Sequence, residues 1–229
     1  MQKVTYIMGA SGSGKTTRTR ELLASAAASA AAANAAGARA AATITPGVVV
    51  VSTDVIRAQL RAVLDQAEYP ELWAESFDVP RAHDGDNGGS PGADAASDGP
   101  GLNIEGFARQ CAPVLRAVEA AVDYVLTEGS DCIVEGVHLV PGWFALPPRR
   151  DDLAITAELR LVRDEPAHRG LFADREAGTQ GRRPAARYLE MLANIRAVQT
   201  LLETQWNTWT PAVVPRVTCS LVEVARRQD

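Results

Sequence analysis

The run Gly9-Ala10-Ser11-Gly12-Ser13-Gly14-Lys15-Thr16 has the spacing G-x-x-x-x-G-K-S/T. Glycines at these positions let the backbone turn tightly and aim its N–H groups at phosphate oxygens. A helix beginning at the end of the loop adds partial positive charge. In this pattern the lysine reaches the β- and γ-phosphates and the following hydroxyl ligates Mg²⁺. The chain carries lysine only at Lys3 and Lys15 and uses arginine everywhere else. A compact ammonium therefore stands where a phosphate loop needs a point charge. Gly9, Ala10, Ser11, Gly12, Ser13, Gly14, Lys15, Thr16 and Thr17 are the expected nucleotide-binding stretch, with ATP as the nucleotide and Mg²⁺ beside it.

Three further groups could do chemistry around such a loop. In Ser52-Thr53-Asp54-Val55-Ile56-Arg57 the Asp54 carboxylate can take or orient the proton of an acceptor hydroxyl. Arg57 and Arg61 share a helix face and offer guanidinium forks to a phosphate or carboxylate. The bland alternative is a capping aspartate followed by two solvated arginines. In Ile133-Val134-Glu135-Gly136-Val137-His138 an acid ends a short apolar strand, where it would hold Mg²⁺ directly or through water. His138 just beyond it would donate to an anionic substrate, or else make a structural hydrogen bond. The arginines Arg169, Arg175, Arg182 and Arg183 suit a lid that stabilises charge on a transferring group, or a solvated helix face. Metal-side candidates are thus Thr16, Glu135 and Asp54.

The elements that must position these groups are legible as periodicity. Strands are expected at Val4–Met8, Val48–Val51, Cys132–Val134, Leu153–Val162 and Val213–Val217. The continuous apolar run at Val48–Val51 reads as a strand buried on both faces. Helices are expected at Lys15–Ala33, Asp54–Asp65, Ile104–Thr127 with Pro113 inside it, Glu165–Ala177, and from Pro184 to about Trp206. Gly178 and Gly181 offer a hinge after the fourth of these. Strands alternating with helices predict a three-layer α/β fold around a mainly parallel sheet. One domain is expected over residues 1–229, with low-complexity insertions at about 24–42 and 80–101. Trp206 and Trp209 read as core packing, as do Tyr188, Leu192, Ile195 and Gln199 at helical spacing.

Composition narrows the classes. A net charge of −5 argues against a broad nucleic-acid or membrane surface. No apolar run is long enough to span a bilayer, and with a strand expected directly after the N-terminus no signal peptide is expected there. Cys111, Cys132 and Cys219 lie far apart without metal spacing, as free thiols of a cytoplasmic protein would.

The segments GASGSGKTT, STDVIRAQLR, VEGVHLVPG, DEPAHRGLFADRE and RYLEMLANIRAVQ, in that order, resemble the 2-phosphoglycerate kinase family of P-loop kinases. The resemblance implies a nucleoside-kinase-like P-loop NTPase fold with a helical arginine-rich lid. It also implies transfer of the ATP γ-phosphate to 2-phosphoglycerate, giving 2,3-bisphosphoglycerate. Carried onto this sequence, Gly9, Gly14, Lys15 and Thr16 hold nucleotide and Mg²⁺, and Asp54 faces the acceptor hydroxyl. Arg57 and His138 contact substrate, and Arg169 and Arg175 belong to the lid. Two departures stand out: the insertion at 80–101 falls among substrate-side loops, and Leu171 stands before Phe172 where a basic residue is expected.

The expected activity is therefore that of a Mg²⁺-ATP-dependent kinase for a small phosphorylated acceptor. Lys15, Asp54, Arg169 and Arg175 are its catalytic candidates, and Asp54, Arg57, Arg61 and His138 its acceptor-side candidates. Two rivals are a kinase for a nucleotide, a sugar or a nucleic-acid end, and a non-catalytic nucleotide-dependent regulatory module. The acidic charge balance disfavours the nucleic-acid acceptor, and the acceptor-side carboxylate and arginines disfavour the module.

Overall fold

The structure is a computed structural model that describes residues 1–35, 47–79, 102–213 and 216–226. The insertion at 80–101 and most of the alanine-rich tract beyond Ala35 lie outside the described residues.

Five strands form one sheet: β1 (Gln2–Met8), β2 (Val48–Ser52), β3 (Asp131–Gly136), β4 (Leu153–Leu161) and β5 (Val217–Glu223). Their spatial order is β2-β3-β1-β4-β5, and every neighbouring pair is parallel. Parallel neighbours need crossover connections, and helices supply them. These are α1 (Lys15–Ala35), α2 (Thr53–Val63), α3 (Ile104–Thr127), α4 (Glu165–Gly178), α5 (Ala185–Glu190) and α6 (Leu192–Val213), with a 3₁₀ turn at Pro70–Trp73. Helix α1 packs on β1, β2 and β3, α3 on β2 and β3, and α6 on β4. The expected α/β fold with a parallel sheet is what the chain adopts.

The central strands are buried because their faces are apolar. On β4, Ile155, Ala157, Leu159 and Leu161 alternate into the core, while Glu158 and Arg160 take the other face. Local sequence fixes several helix starts. Asn103 Oδ1 accepts from Gly106 N, and Asp164 Oδ2 accepts from Ala167 N with Pro166 in the first turn. Helix α3 runs unbroken past Pro113. Trp206 is buried and pairs with Trp209, which also meets Phe144, so both tryptophans pack as expected.

Three expectations are corrected. Strand β2 is an edge strand, not one buried on both faces: Val49 and Val50 each remain 39% exposed, and only Val51 among its valines is buried. The last strand is Val217–Glu223 rather than Val213–Val217: Val213 is the last residue of α6, so the chain is still helical where the strand was expected to begin. The helix expected from Pro184 to Trp206 is two helices, α5 and α6, separated at Met191, the C-cap of α5.

Candidate active site

All the groups singled out on β1, β2 and β3 meet at the carboxyl ends of those strands. Ile7 lies opposite Glu135 and Met8 opposite Gly136, while Ser52 pairs with Glu135 from the other side. The glycine loop leaves β1 beside Glu135, and Thr53-Asp54 leave β2 beside it as well. Ligands of open α/β sheets occupy this edge, where the strand order reverses.

The loop turns through Gly12 and Gly14, whose φ angles of 82° and 74° suit glycine. Helix α1 begins directly after it at Lys15. Three of the loop's carbonyls accept from side-chain donors. Lys15 Nζ donates to Ala10 O at 2.8 Å, and Arg160 Nε donates to Ser13 O at 3.1 Å. His168 Nε2 donates to Ser11 O at 2.8 Å. Arg160 is in turn held by Glu158 at 2.5 Å, and Glu158 also accepts from Arg18 Nε of α1 at 3.0 Å. Burial lowers the pKa of Lys15, while the negative charges of Glu135 and Asp54 oppose that shift and Arg160 adds to it. The ammonium thus sits in the field of both carboxylates.

Of the acceptor-side candidates, Asp54 is exposed at the start of α2 and Arg61 is partly exposed. Arg57 is buried and donates through one terminal nitrogen to the carbonyls of Leu72, at 3.2 Å, and Ala74. Its Nε is buried without a partner. Burial lowers its pKa and Asp54 works against this. Arg57 therefore clamps the segment around Pro70–Trp73 to α2.

His138 is fully buried at the centre of a polar network. Gln110 Nε2 donates to the carbonyls of Glu71 and Ala74, at 2.5 and 3.0 Å, so its Oε1 is turned toward the histidine at 3.1 Å. An amide oxygen only accepts, which puts the ring proton on Nε2. The Ser76 hydroxyl lies 3.2 Å from the same nitrogen. Nδ1 is then the acceptor for the Thr53 hydroxyl at 2.8 Å. Burial pushes His138 down to about 4, with Asp54 opposing and Arg57 and Lys15 assisting. Both ring nitrogens are engaged, and the ring supports Thr53, the residue before Asp54.

The lid candidates separate. Arg169 makes a surface pair with Glu165, its Nε at 3.1 Å and a terminal nitrogen at 2.9 Å. Arg175 lies over the Tyr188 ring at 5.0 Å, and Arg182 and Arg183 are exposed beyond α4. Sequence reasoning did not single out Thr53, Ser76, Gln110, Glu158, Arg160 or His168 as contributors to this site. A detectable signal was the Glu158-x-Arg160 pair inside an otherwise apolar strand.

The donor set suits a Mg²⁺-nucleotide. Thr16 offers an exposed hydroxyl at the first turn of α1, and Glu135 a carboxylate at the end of β3. No cluster of three or more His, Cys, Asp or Glu side chains able to hold a metal occurs among the described residues. One hydroxyl and one carboxylate match a hard cation that keeps waters and phosphate oxygens in its shell.

No protein-family model matches the chain. It is similar to proteins named 2-phosphoglycerate kinase from several organisms. That of Methanothermobacter thermautotrophicus is 28% identical over 162 residues, 68% of this chain and 48% of the relative. That of Methanopyrus kandleri is 31% identical over 156 residues, 67% of this chain and 43% of the relative. That of Methanocaldococcus jannaschii is 29% identical over 165 residues, 72% and 48% respectively. The chain spans about half the length of these relatives. No helix among the described residues is long and apolar enough to cross a membrane. Over about two thirds of its own length the chain is thus similar to proteins named 2-phosphoglycerate kinase.

Proposed function

We propose that this chain is a Mg²⁺-ATP-dependent kinase that phosphorylates a hydroxyl of a small anionic acceptor, 2-phosphoglycerate being the leading candidate and 2,3-bisphosphoglycerate its product. The observation that carries this reading is the convergence of Lys15 with the carboxylates of Glu135 and Asp54 at the ends of three adjacent parallel strands. Likeness to proteins named for that reaction supports it.

The protein's work is positioning and electrostatics. Backbone N–H groups of residues 9–17 and the Lys15 ammonium bind the nucleotide's phosphates. Thr16, with Glu135 or Asp54, would hold Mg²⁺, which when bound neutralises charge on the β- and γ-phosphates. Asp54 is exposed at the mouth of the site and accepts or orients the proton of the acceptor hydroxyl. Arg61, with Arg57 beneath it, presents positive charge to the acceptor's phosphate or carboxylate. His138 contributes by holding Thr53 and the segment around Ser76 in place. Arg169 and Arg175 on α4 belong to the element that covers the triphosphate and excludes water. A membrane is no partner in this scheme, and the site lies in a cytoplasmic enzyme.

The test is ATP consumption by the purified chain with Mg²⁺, with and without 2-phosphoglycerate, beside Lys15→Ala, with mass spectrometry of the product. Acceptor-dependent turnover that disappears in a folded Lys15→Ala is the expected result. Near-normal turnover in that variant would overturn the scheme. Turnover only with other phosphorylated acids, sugars or nucleotides would keep the kinase and replace the acceptor.

A further inference from the structure

His168 stands on α4, yet its side chain belongs to the glycine loop. Its Nε2 lies 2.8 Å from the Ser11 carbonyl. A carbonyl only accepts, so the ring proton sits on Nε2. The residue is fully buried, and its Nδ1 has no hydrogen-bond partner. Burial lowers its pKa, with Arg196 and Lys15 acting in the same direction and the Ser11 bond and Glu165 against it. A second proton on Nδ1 would be a buried charge without a partner, so the ring stays a neutral donor.

Two further contacts set its direction. The ring stacks on Phe172, with centroids 5.0 Å apart and planes 18° apart, and Phe172 stacks on Tyr188 at 5.1 Å and 10°. The loop meets this stack closely. A Cβ at Gly12 would stand 2.9 Å from His168 Nε2 and 2.9 Å from the Phe172 ring.

In a trans peptide the C=O and the next N–H point in opposite directions. Holding the Ser11 carbonyl toward the His168 ring therefore turns the Gly12 N–H away from that ring. We propose that His168 is a positioning residue for the nucleotide: its Nε2–H pins the Ser11–Gly12 peptide so that the Gly12 N–H faces the phosphates. This rests on the nucleotide-binding reading of the loop. It gives α4 a role in shaping the phosphate site apart from its arginines.

The experiment is calorimetric titration of Mg-ATP into the full chain and two variants. In His168→Gln the amide nitrogen reaches about as far as Nε2 and keeps the donor. In His168→Asn the side chain is one methylene shorter and the donor falls short of Ser11. Loss of a hydrogen bond of this kind predicts Kd raised about tenfold in His168→Asn, with His168→Gln within about threefold of the parent. Thermal melts check that each variant is folded, and His168→Phe, which keeps the ring stack without the donor, replaces Asn if that variant does not fold. Unchanged affinity in the donor-less variant, or equal loss in Gln and Asn, overturns the proposal while leaving nucleotide binding intact. Absence of Mg-ATP binding by the parent overturns the nucleotide reading and this inference together.

Discussion

The Thr53 hydroxyl lies 2.8 Å from Nδ1 of His138 and closes over Gly136, where a Cβ would stand 1.8 Å from it. This contact seats the first turn of α2, and hence Asp54, against the end of β3. No real Cβ tolerates that distance, so Gly136→Ala must push Thr53 away and break its bond to His138. Overpacking of this kind predicts a loss of about 3 kcal/mol. Urea unfolding measures it, and a loss below about 0.5 kcal/mol would contradict the geometry.

His138 makes stability depend on pH. Its pKa falls from 6.5 to about 4 because burial disfavours the charged ring. Between these values the unfolded chain binds a proton that the folded chain refuses. The stabilisation is fully present above the unfolded pKa and is lost as pH falls toward the folded one, amounting to about 3 kcal/mol at most. Unfolding free energies measured from pH 7.5 to 4 should fall with a slope approaching one proton from this residue. In His138→Gln that share of the slope should vanish, even though the variant starts from lower stability. An equal slope in parent and variant would show that the ring does not titrate in this way.

Arg169 tests the proposed lid role in isolation from the fold. Its pairing with Glu165 is exposed, and exposed pairs contribute about 0–1 kcal/mol. Arg169→Ala should leave the melting temperature within about 2 °C, while kcat for phosphoryl transfer drops about tenfold or more. Arg175→Ala additionally removes a cation–π contact with Tyr188, at a cost of about 0.5–1 kcal/mol. Steady-state kinetics beside melts would separate the two residues. Unchanged kcat in Arg169→Ala would leave that arginine as a surface residue.

What could be read from the sequence was local. The glycine loop, the strand before it and the helix after it are consecutive residues with one periodicity each, and the structure has them at those places. Asp54 and Glu135 were legible as strand-end acids. Their convergence depends on β3 lying between β2 and β1, a long-range pairing that no window of residues displays. The His138 network was invisible for the same reason: its partners are Thr53, Ser76 and Gln110, which are 85, 62 and 28 residues away in the chain. At β5 the apolar pair at 213 and 214 drew the strand assignment upstream. The alternation in Val217–Glu223 marks the true segment. Edge or centre for β2 is likewise a property of the sheet rather than of its valines.

Glu158 and Arg160 are the remaining features the apolar pattern of β4 hid, and they carry the last prediction. Glu158 is 5% exposed and accepts from Arg18 and Arg160, and Arg160 holds the Ser13 carbonyl. Removing the carboxylate leaves Arg160, itself largely buried and close enough to Lys15 to feel its charge, without the acid that pairs with it. Breaking one side of a buried pair predicts a loss of about 3 kcal/mol or more in Glu158→Ala. The damage should extend to the loop, because Arg160 freed from Glu158 no longer fixes Ser13, so Mg-ATP affinity should fall together with stability. In Glu158→Gln the side chain keeps its shape and an acceptor oxygen but not its charge, so both losses should be smaller. Unfolding curves and nucleotide titrations on the two variants test this order. Equal affinity in the parent and a folded Glu158→Ala would mean that the brace supports the strand and not the loop.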